Sequence, residues 1–290
     1  MVEIACVVGA GAELGEGALW DPREGVLYWV NIFAREIHRF EPATGIDTIC
    51  IAPDTVGSLA VRAGGGLVAA MGRGFHFIDF ATGNSRPVAT VEPDLPENRM
   101  NDGKPDRRGR FWAGSMHNPE NRPDGALYRL DPDLTWRRMV DGFTVSNALA
   151  FSPDGKTMYY GDSPAKTVWA WDLDPDSGDI SNRRVFLDAA ATGGSPDGAA
   201  VDEAGCYWLT VPRAWRVNRY DPHGRLDRSI ELPISNPTCV AFGGERLDTL
   251  YVTSATFMAL PEDLQNQPLA GALLAIDVGV RGLPDAFFYG

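Results

Sequence analysis

The sequence contains no long hydrophobic run. Across its 290 residues, no stretch approaches the roughly eighteen apolar residues that a membrane-spanning helix requires. The first residues, Met1–Cys6, lack the basic segment that opens a secretory signal peptide. We therefore expect a cytoplasmic protein with neither a membrane span nor a signal peptide.

Positive charge and cysteine are both scarce. Lysine and arginine together number 26 against 39 aspartates and glutamates, which gives a net charge of −13 at pH 7. Such a surface repels phosphates, so we expect neither nucleic acid nor an anionic membrane as a partner. The four cysteines contain no Cys-x-x-Cys pair, which favours buried, free thiols in a reducing compartment.

Several catalytic signatures are missing as well. No Gly-x-Ser-x-Gly motif, Walker phosphate loop or dinucleotide fingerprint occurs in a fitting context. These absences argue against a serine hydrolase and against a nucleotide-dependent enzyme. Any catalytic activity must therefore depend on other groups.

What the sequence does contain is a repeated hairpin pattern. A polar turn precedes an apolar strand, as in Asp202–Gly205 before Cys206–Thr210. The strand centres are 40, 44, 47, 49 and 43 residues apart, a spacing typical of four-stranded propeller blades. The six centres are Tyr28, Val68, Trp112, Tyr159, Trp208 and Tyr251. The pattern predicts an all-β, six-bladed β-propeller in which residues 1–290 form a single domain.

The two ends of the chain each carry an isolated strand pattern. Glu3–Val8 alternates without a hairpin partner, and Ala272–Asp277 is likewise alone. A propeller usually closes its ring by building one blade from both termini. We therefore predict that these two segments share a blade.

Oxygen-bearing side chains recur at one position of the repeat. Glu16 and Asn147 lie twelve residues before their strand centres, and Asn101 and Asp197 lie eleven residues before theirs. The second repeat has no acid at this position. Because the innermost strand of every blade lines the central channel, we expect the four side chains to meet at one mouth of the axis.

Two carboxylates and two amides gathered at one mouth predict a cation site. Carboxylates repel one another unless a cation lies between them. Ligation by oxygen alone favours Ca²⁺, Mg²⁺ or Mn²⁺, and Zn²⁺ or Fe²⁺ is also compatible with so few ligands. A protein ligand set this small leaves room for water and for a substrate.

Several motifs surround these positions, in order and with consistent spacing. They are Leu14–Gly17, Asn98–Lys104, Gly109–Met116, Ser146–Asn147, Phe151–Lys156, Pro196–Gly198 and Val201–Asp202. Together they span nearly the whole chain and resemble the motifs of the senescence-marker-protein/gluconolactonase/luciferin-regenerating family. The resemblance implies a six-bladed propeller with one catalytic divalent metal ion, held by Glu16, Asn147 and Asp197.

The resemblance also implies roles for neighbouring residues. Arg99 and Asn101 contact the sugar hydroxyls, and Asp197 doubles as the general base. In animal members, a Glu in the loop after a Gly-Thr-Met-like motif also touches the substrate. By count from Asn101, this chain has Pro119 at that place, with Glu120 next to it.

One histidine is a further candidate for the site. His117 lies in the polar loop Met116–Pro123, which could cover the mouth of the channel, and we include it among the candidate substrate contacts. The other three, His38, His76 and His223, fall on predicted outer strands or turns, where a structural or solvent-exposed role is expected.

The expected function is metal-dependent hydrolysis of a sugar lactone to the aldonic acid. In this hypothesis the ion polarises the lactone carbonyl, Asp197 takes a proton from the attacking water, and Arg99 with Asn101 orients the substrate. Two alternatives stay open: a propeller hydrolase of phosphotriester-type esters, and a non-enzymatic propeller with a structural ion. The particular lactone, the physiological ion and the oligomeric state also stay open.

Overall fold

The computed structural model describes residues 3–257 and 259–290. Within these ranges the chain forms 24 strands, one 3₁₀ turn at Ala189–Thr192 and one short helix, α1 (Pro261–Leu264). No helix of the described chain has the length and apolar character needed to cross a membrane. The strands assemble into six four-stranded sheets, which confirms the six-bladed β-propeller.

The strands follow one another blade by blade. The first is β1 (Ile4–Val8). Blade one contains β2 (Gly15–Asp21), β3 (Val26–Asn31), β4 (Glu36–Glu41) and β5 (Ile46–Ile51). Blade two contains β6 (Val56–Val61), β7 (Leu67–Met71), β8 (Gly74–Asp79) and β9 (Asn84–Thr90). Blade three contains β10 (Asn98–Pro105), β11 (Phe111–His117), β12 (Gly125–Leu130) and β13 (Trp136–Phe143).

The second half of the chain repeats the arrangement. Blade four contains β14 (Ser146–Phe151), β15 (Thr157–Asp162), β16 (Thr167–Leu173) and β17 (Ile180–Asp188). Blade five contains β18 (Ala199–Val201), β19 (Tyr207–Val211), β20 (Arg216–Tyr220) and β21 (Leu226–Glu231). Blade six contains β22 (Pro237–Gly243), β23 (Thr249–Ser254), β24 (Leu273–Asp277) and β1.

Burial decreases from the inner strands of each blade to the outer ones. The first strands contact those of the neighbouring blades and line the axis, and the second strands contain the six repeat centres. In blade one every residue of β3 is buried, whereas β5 leaves Ile46 and Ile49 more than half exposed. The predicted hairpins are confirmed as the first two strands of the blades.

The last blade is built from both ends of the chain. Strand β1 pairs antiparallel with β24, with Ile4 opposite Ile276 and Ala5 opposite Ala275. Strand β24 in turn pairs with β23, so the sheet has the order β22, β23, β24, β1. The predicted shared blade is confirmed.

The C-terminal segment 281–290 crosses one end of the axis. Phe288 forms a β-bridge to Arg62, just after the inner strand of blade two. The Asp285 carboxylate lies 3.5 Å from Lys104 Nζ, near the end of the inner strand of blade three. A small cavity of about 20 Å³ lies beneath the segment. The larger cavity, of about 200 Å³, lies at the opposite end of the axis.

The inner strands bend where they approach one another at that opposite end. The pairing register shifts after Glu16 in β2, after Met100 in β10 and after Asn147 in β14, as expected for β-bulges. In β6 the equivalent position is Gly57, where a Cβ atom would lie 2.6 Å from the Cα of Asn101. Only glycine permits this approach, which explains why the second repeat has no acid here.

Replacing Gly57 with alanine should destabilise the ring. The added carbon would meet backbone atoms of Met100 and Asn101 at 2.6 Å, and a backbone cannot move aside as a flexible side chain can. We expect the free energy of unfolding to fall by about 1–3 kcal/mol, measured by urea denaturation. Gly64→Ala is the matched control, because nothing lies within 4 Å of its added carbon. Equal stability of the two variants would contradict the close approach.

Candidate active site

A cavity of about 200 Å³ lies at the open mouth of the axis. Its walls include the four side chains that share a position of the repeat, Glu16, Asn101, Asn147 and Asp197. Three of them belong to inner strands, and Asp197 stands two residues before the inner strand β18. Arg99 lines the same cavity. The structure thus brings these five residues together from four blades.

Two carboxylates meet in this cavity. The side chains of Glu16 and Asp197 lie within hydrogen-bond reach of each other when one carboxyl holds a proton, and Glu16 Oε2 accepts the backbone N–H of Gly17 at 3.2 Å. Both side chains keep a partly exposed face, although protein surrounds them otherwise. Burial, with the nearby charge of Asp102, raises the pKa of Glu16 to about 8, and burial with the Glu16 charge raises the pKa of Asp197. Positive charge between them would favour full ionisation of both.

Two asparagines stand beside the carboxylates. Asn101 Nδ2 donates to Asn147 Oδ1 and to the backbone oxygen of Ser146, both at 2.9 Å. Asn147 Nδ2 donates in turn to Ser163 Oγ at 2.8 Å. Both amides are buried, so these bonds fix their orientation. Each carbonyl oxygen has two lone pairs and keeps capacity for one more partner.

Arg99 contributes a positive charge to the cavity. Its guanidinium donates from Nη1 to Asn101 Oδ1 at 2.6 Å and from Nε to Asn118 Oδ1 at 2.9 Å. Burial lowers the pKa of Arg99 to about 10, which still leaves the group charged at neutral pH, while the Glu120 carboxylate opposes the shift. The guanidinium lies 6.0 Å from the ring centroid of Phe33. Arg99 is therefore both charged and fixed in position.

His117 is the predicted site residue that does not line the cavity. Side chains alternate along β11, so Met116 lines the cavity and His117 belongs to the other face of the blade. There His117 Nε2 lies 2.9 Å from Arg122 Nη2 and 3.5 Å from the Glu97 carboxylate. A substrate contact for His117 stays a prediction that its position does not support.

The cavity also includes residues that sequence reasoning did not assign to the site. They are Glu120, Ser163, Arg213 and Phe257, among others. Glu120 stands one position after the place indicated by the count from Asn101, so a carboxylate is present on this loop. Ser163 and Arg213 lie in turns directly after second strands. The equivalent turn positions in blade one are Ile32 and Phe33, so no polar pattern repeats there to mark these residues in the sequence.

The donor set fits a hard divalent cation. Among residues 3–257 and 259–290, no three His, Cys, Asp or Glu side chains are grouped so as to hold a metal ion. The predicted set has two acids, Glu16 and Asp197, and its third donor is the amide oxygen of Asn147, a ligand type that Ca²⁺ accepts readily. A cation there would also relieve the repulsion between the two carboxylates.

The location and chemistry of this cavity define a class of protein. It is a β-propeller with an open cavity at one mouth of its axis, lined by carboxylates, amides and guanidinium groups, the kinds of polar group found in ligand sites. Comparison with known families narrows the class. Residues 14–256 match the SMP-30/Gluconolactonase/LRE-like region, and the chain belongs to this family.

Known relatives match along the whole chain. A 6-deoxy-6-sulfogluconolactonase of Pseudomonas putida is 38% identical over 288 residues, which covers 99% of each protein. Regucalcin of Xenopus laevis is 36% identical over 297 residues and covers 100% of this chain and 99% of its own. The crystal structure of a calcium-binding protein, regucalcin from Agrobacterium tumefaciens, has a TM-score of 0.96 at 29% identity, covering 100% of this chain and 98% of the other. Sequence and fold therefore indicate the same family.

Removing one of the paired acids should stabilise the protein when no divalent ion is present. Glu16→Gln keeps the shape of the side chain and removes a negative charge that the carboxylates of Asp197 and Asp102 repel. We expect the melting temperature in excess chelator to rise by about 2–4 °C, equivalent to ~1 kcal/mol for a chain near this size. Glu203→Gln, at an exposed acid, is the control.

The gain in stability should depend on pH. Because folding raises the pKa of Glu16 from 4.5 to about 8, the native protein holds a proton that the unfolded chain releases. Wild-type stability therefore falls as the pH rises through this interval, and the advantage of Glu16→Gln should grow from about pH 5 to about pH 8. A variant that melts below the wild type at the upper pH would contradict the repulsion.

Proposed function

We propose that the protein is a divalent-metal-dependent lactonase, which hydrolyses a sugar lactone to the corresponding aldonic acid. The observation that carries the proposal is the meeting of Glu16, Asn147 and Asp197 beside Arg99 and Asn101 in one cavity. The relatives support it, since the family description includes gluconolactonase and the 38% identical relative is named a 6-deoxy-6-sulfogluconolactonase.

In this proposal Glu16, Asn147 and Asp197 hold the cation. Their oxygens would leave other coordination positions for water and for the lactone. When bound, the cation supplies Lewis-acid polarisation of the lactone carbonyl. A solved relative described as a calcium-binding protein supports a divalent ion at this site and leaves its identity open.

The protein's own groups orient the substrate and move the proton. Asp197 accepts a proton from the attacking water at a carboxylate oxygen and returns it to the ring oxygen as that oxygen leaves. Asn101 already donates both amide hydrogens, to Asn147 and to Ser146, so its oxygen accepts a hydrogen bond from a sugar hydroxyl. Together, Asn101 and Arg99 orient the lactone so that water attacks its carbonyl carbon from one face.

The rim of the cavity favours a lactone that carries an anionic group away from the reacting carbonyl. Arg213 lines the cavity. Its backbone φ is 67°, a left-handed conformation that costs a non-glycine residue about 1–2 kcal/mol. The equivalent turn positions in blades one and four are Phe33 and Pro164, neither of which is charged. The name of the 38% identical relative denotes a sulfonated gluconolactone. We therefore expect Arg213 to pair with a sulfonate or a similar group on the sugar.

Lactone hydrolysis should require both a divalent ion and Asn101. Chelator-treated protein should lose activity on a panel of five- and six-carbon lactones, and should regain it with one or more of Ca²⁺, Mg²⁺, Mn²⁺, Zn²⁺ and Fe²⁺. Asn101→Ala should lower kcat/KM by about 10- to 100-fold, the range expected for hydrogen bonds worth ~1.5–3 kcal/mol. Uncatalysed ring opening is subtracted throughout. Asn84→Ala, on the exposed outer strand β9, is the control.

Two results of this experiment would favour the alternatives. Unchanged turnover in an Asn101→Ala protein that still folds and binds the ion would favour a non-enzymatic ion-binding propeller. Hydrolysis of a phosphofluoridate faster than of any lactone would favour a phosphotriesterase, since an ion that polarises a C=O bond also polarises a P=O bond.

Arg213→Gln should affect anionic and neutral lactones differently. We expect kcat/KM for 6-deoxy-6-sulfogluconolactone to fall by about 10-fold or more, because a charge-assisted hydrogen bond is lost. The value for unmodified gluconolactone should change little, since that lactone has no charge to pair. Arg213→Lys retains the charge and should keep most of the activity. Equal losses on both substrates would contradict this role.

A further inference from the structure

A continuous chain of hydrogen bonds follows one wall of the cavity. The Arg99 guanidinium donates to Asn101 Oδ1 at 2.6 Å, and Asn101 Nδ2 donates to Asn147 Oδ1 at 2.9 Å. Asn147 Nδ2 donates to Ser163 Oγ at 2.8 Å, and the Ser163 hydroxyl donates to the Pro196 carbonyl oxygen at 2.6 Å. These hydrogen bonds connect blade three to blade four and end at Pro196, one residue before the proposed general base.

The first and last members of this hydrogen-bond series, Arg99 and Pro196, impose the same direction on every bond between them. A guanidinium can only donate, and a backbone carbonyl oxygen can only accept. The amides and the hydroxyl between them can do both, so only one arrangement satisfies every member. In that arrangement Asn147 directs its NH₂ group to Ser163 and its oxygen to Asn101. The amide oxygen, the atom of this side chain able to bind a cation, is thereby fixed in place.

The position of Ser163 is itself fixed by its turn. Its backbone N–H donates to the Val145 carbonyl oxygen at 3.2 Å, and the preceding Asp162 carboxylate accepts the Val145 N–H at 3.2 Å. These bonds hold the turn to the start of blade four. The equivalent turn positions in blades one and five are Ile32 and Pro212, which have no hydroxyl. Among these three turns, the hydroxyl occurs in the blade that supplies the amide ligand.

We infer that Ser163 is a positioning residue for the cation site. Its hydroxyl accepts from the NH₂ group of Asn147 and keeps the amide oxygen directed for ligation. It also binds Pro196, the residue that precedes Asp197, and so holds two ligands in register. Without the hydroxyl, the amide of Asn147 keeps its bond to Asn101 and loses one of the two partners that fix its orientation. The inference rests on the proposed function in one respect, namely that a divalent ion binds at Asn147.

Isothermal titration calorimetry of the full chain tests this role. Chelator-treated wild type, Ser163→Ala and Ser163→Thr are each titrated with Mn²⁺ and with Ca²⁺. We expect Ser163→Ala to weaken ion affinity by about 10- to 100-fold, and Ser163→Thr, which keeps the hydroxyl, to restore most of it. The matched control is Ser254→Ala, which likewise removes a hydroxyl bond to a backbone carbonyl, that of Ala272 at 2.7 Å. It should bind the ions as the wild type does.

A double-variant cycle separates positioning from a general loss of structure. Asn147→Asp presents a carboxylate oxygen in either orientation, so adding Ser163→Ala to it should change ion affinity little. An equal loss in both backgrounds, or no loss in Ser163→Ala alone, would overturn the inference while leaving the proposed function intact. A wild type that binds neither ion overturns both. If Ser163→Ala does not fold, Ser163→Cys replaces it, because a thiol is a weak donor and acceptor.

Discussion

The structure depends on the meeting of the inner strands around one axis. Closure of the ring brings neighbouring strands so near that Gly57 has no room for a side chain against the backbone of Asn101. The same closeness allows Asn101 to bond to Asn147, 46 positions away in the sequence. Residues at one position of the repeat therefore form one wall, whatever their separation along the chain. The site is a product of the ring and not of any local motif.

The cavity concentrates negative charge in a protein that is already acidic. Glu16, Asp197 and Asp102 lie close enough that each neighbour raises the pKa of Asp197, after burial itself. Backbone N–H groups offset part of the cost, since Gly17 donates to Glu16 and Leu149 donates to Asp102 at 2.9 Å. An arrangement that opposes folding yet is built into the centre of the ring is characteristic of functional sites, where stability is given up for chemistry.

Features that repeat could be predicted from the sequence, whereas features of single turns could not. Centres such as Trp112 and Trp208 recur because every blade needs the same buried strand, and their spacing was enough to predict the number of blades. Ser163 and Arg213 occupy turns whose surroundings differ between blades, so no periodicity marks them. His117 is expected in a loop from the sequence, but β11 extends to His117. Successive side chains of a strand point to opposite faces, so this one residue directs His117 away from the face that Met116 shares with the cavity.

The pairing of the first strand with the last affects how the chain can fold. Ile4 lies opposite Ile276, 272 positions away, so β1 has no partner during synthesis until β24 has been made. An edge that waits unpaired can add to strands of other molecules, and contacts between such distant segments form slowly. Nascent chains should therefore be most prone to aggregation just before Leu273–Asp277 emerges.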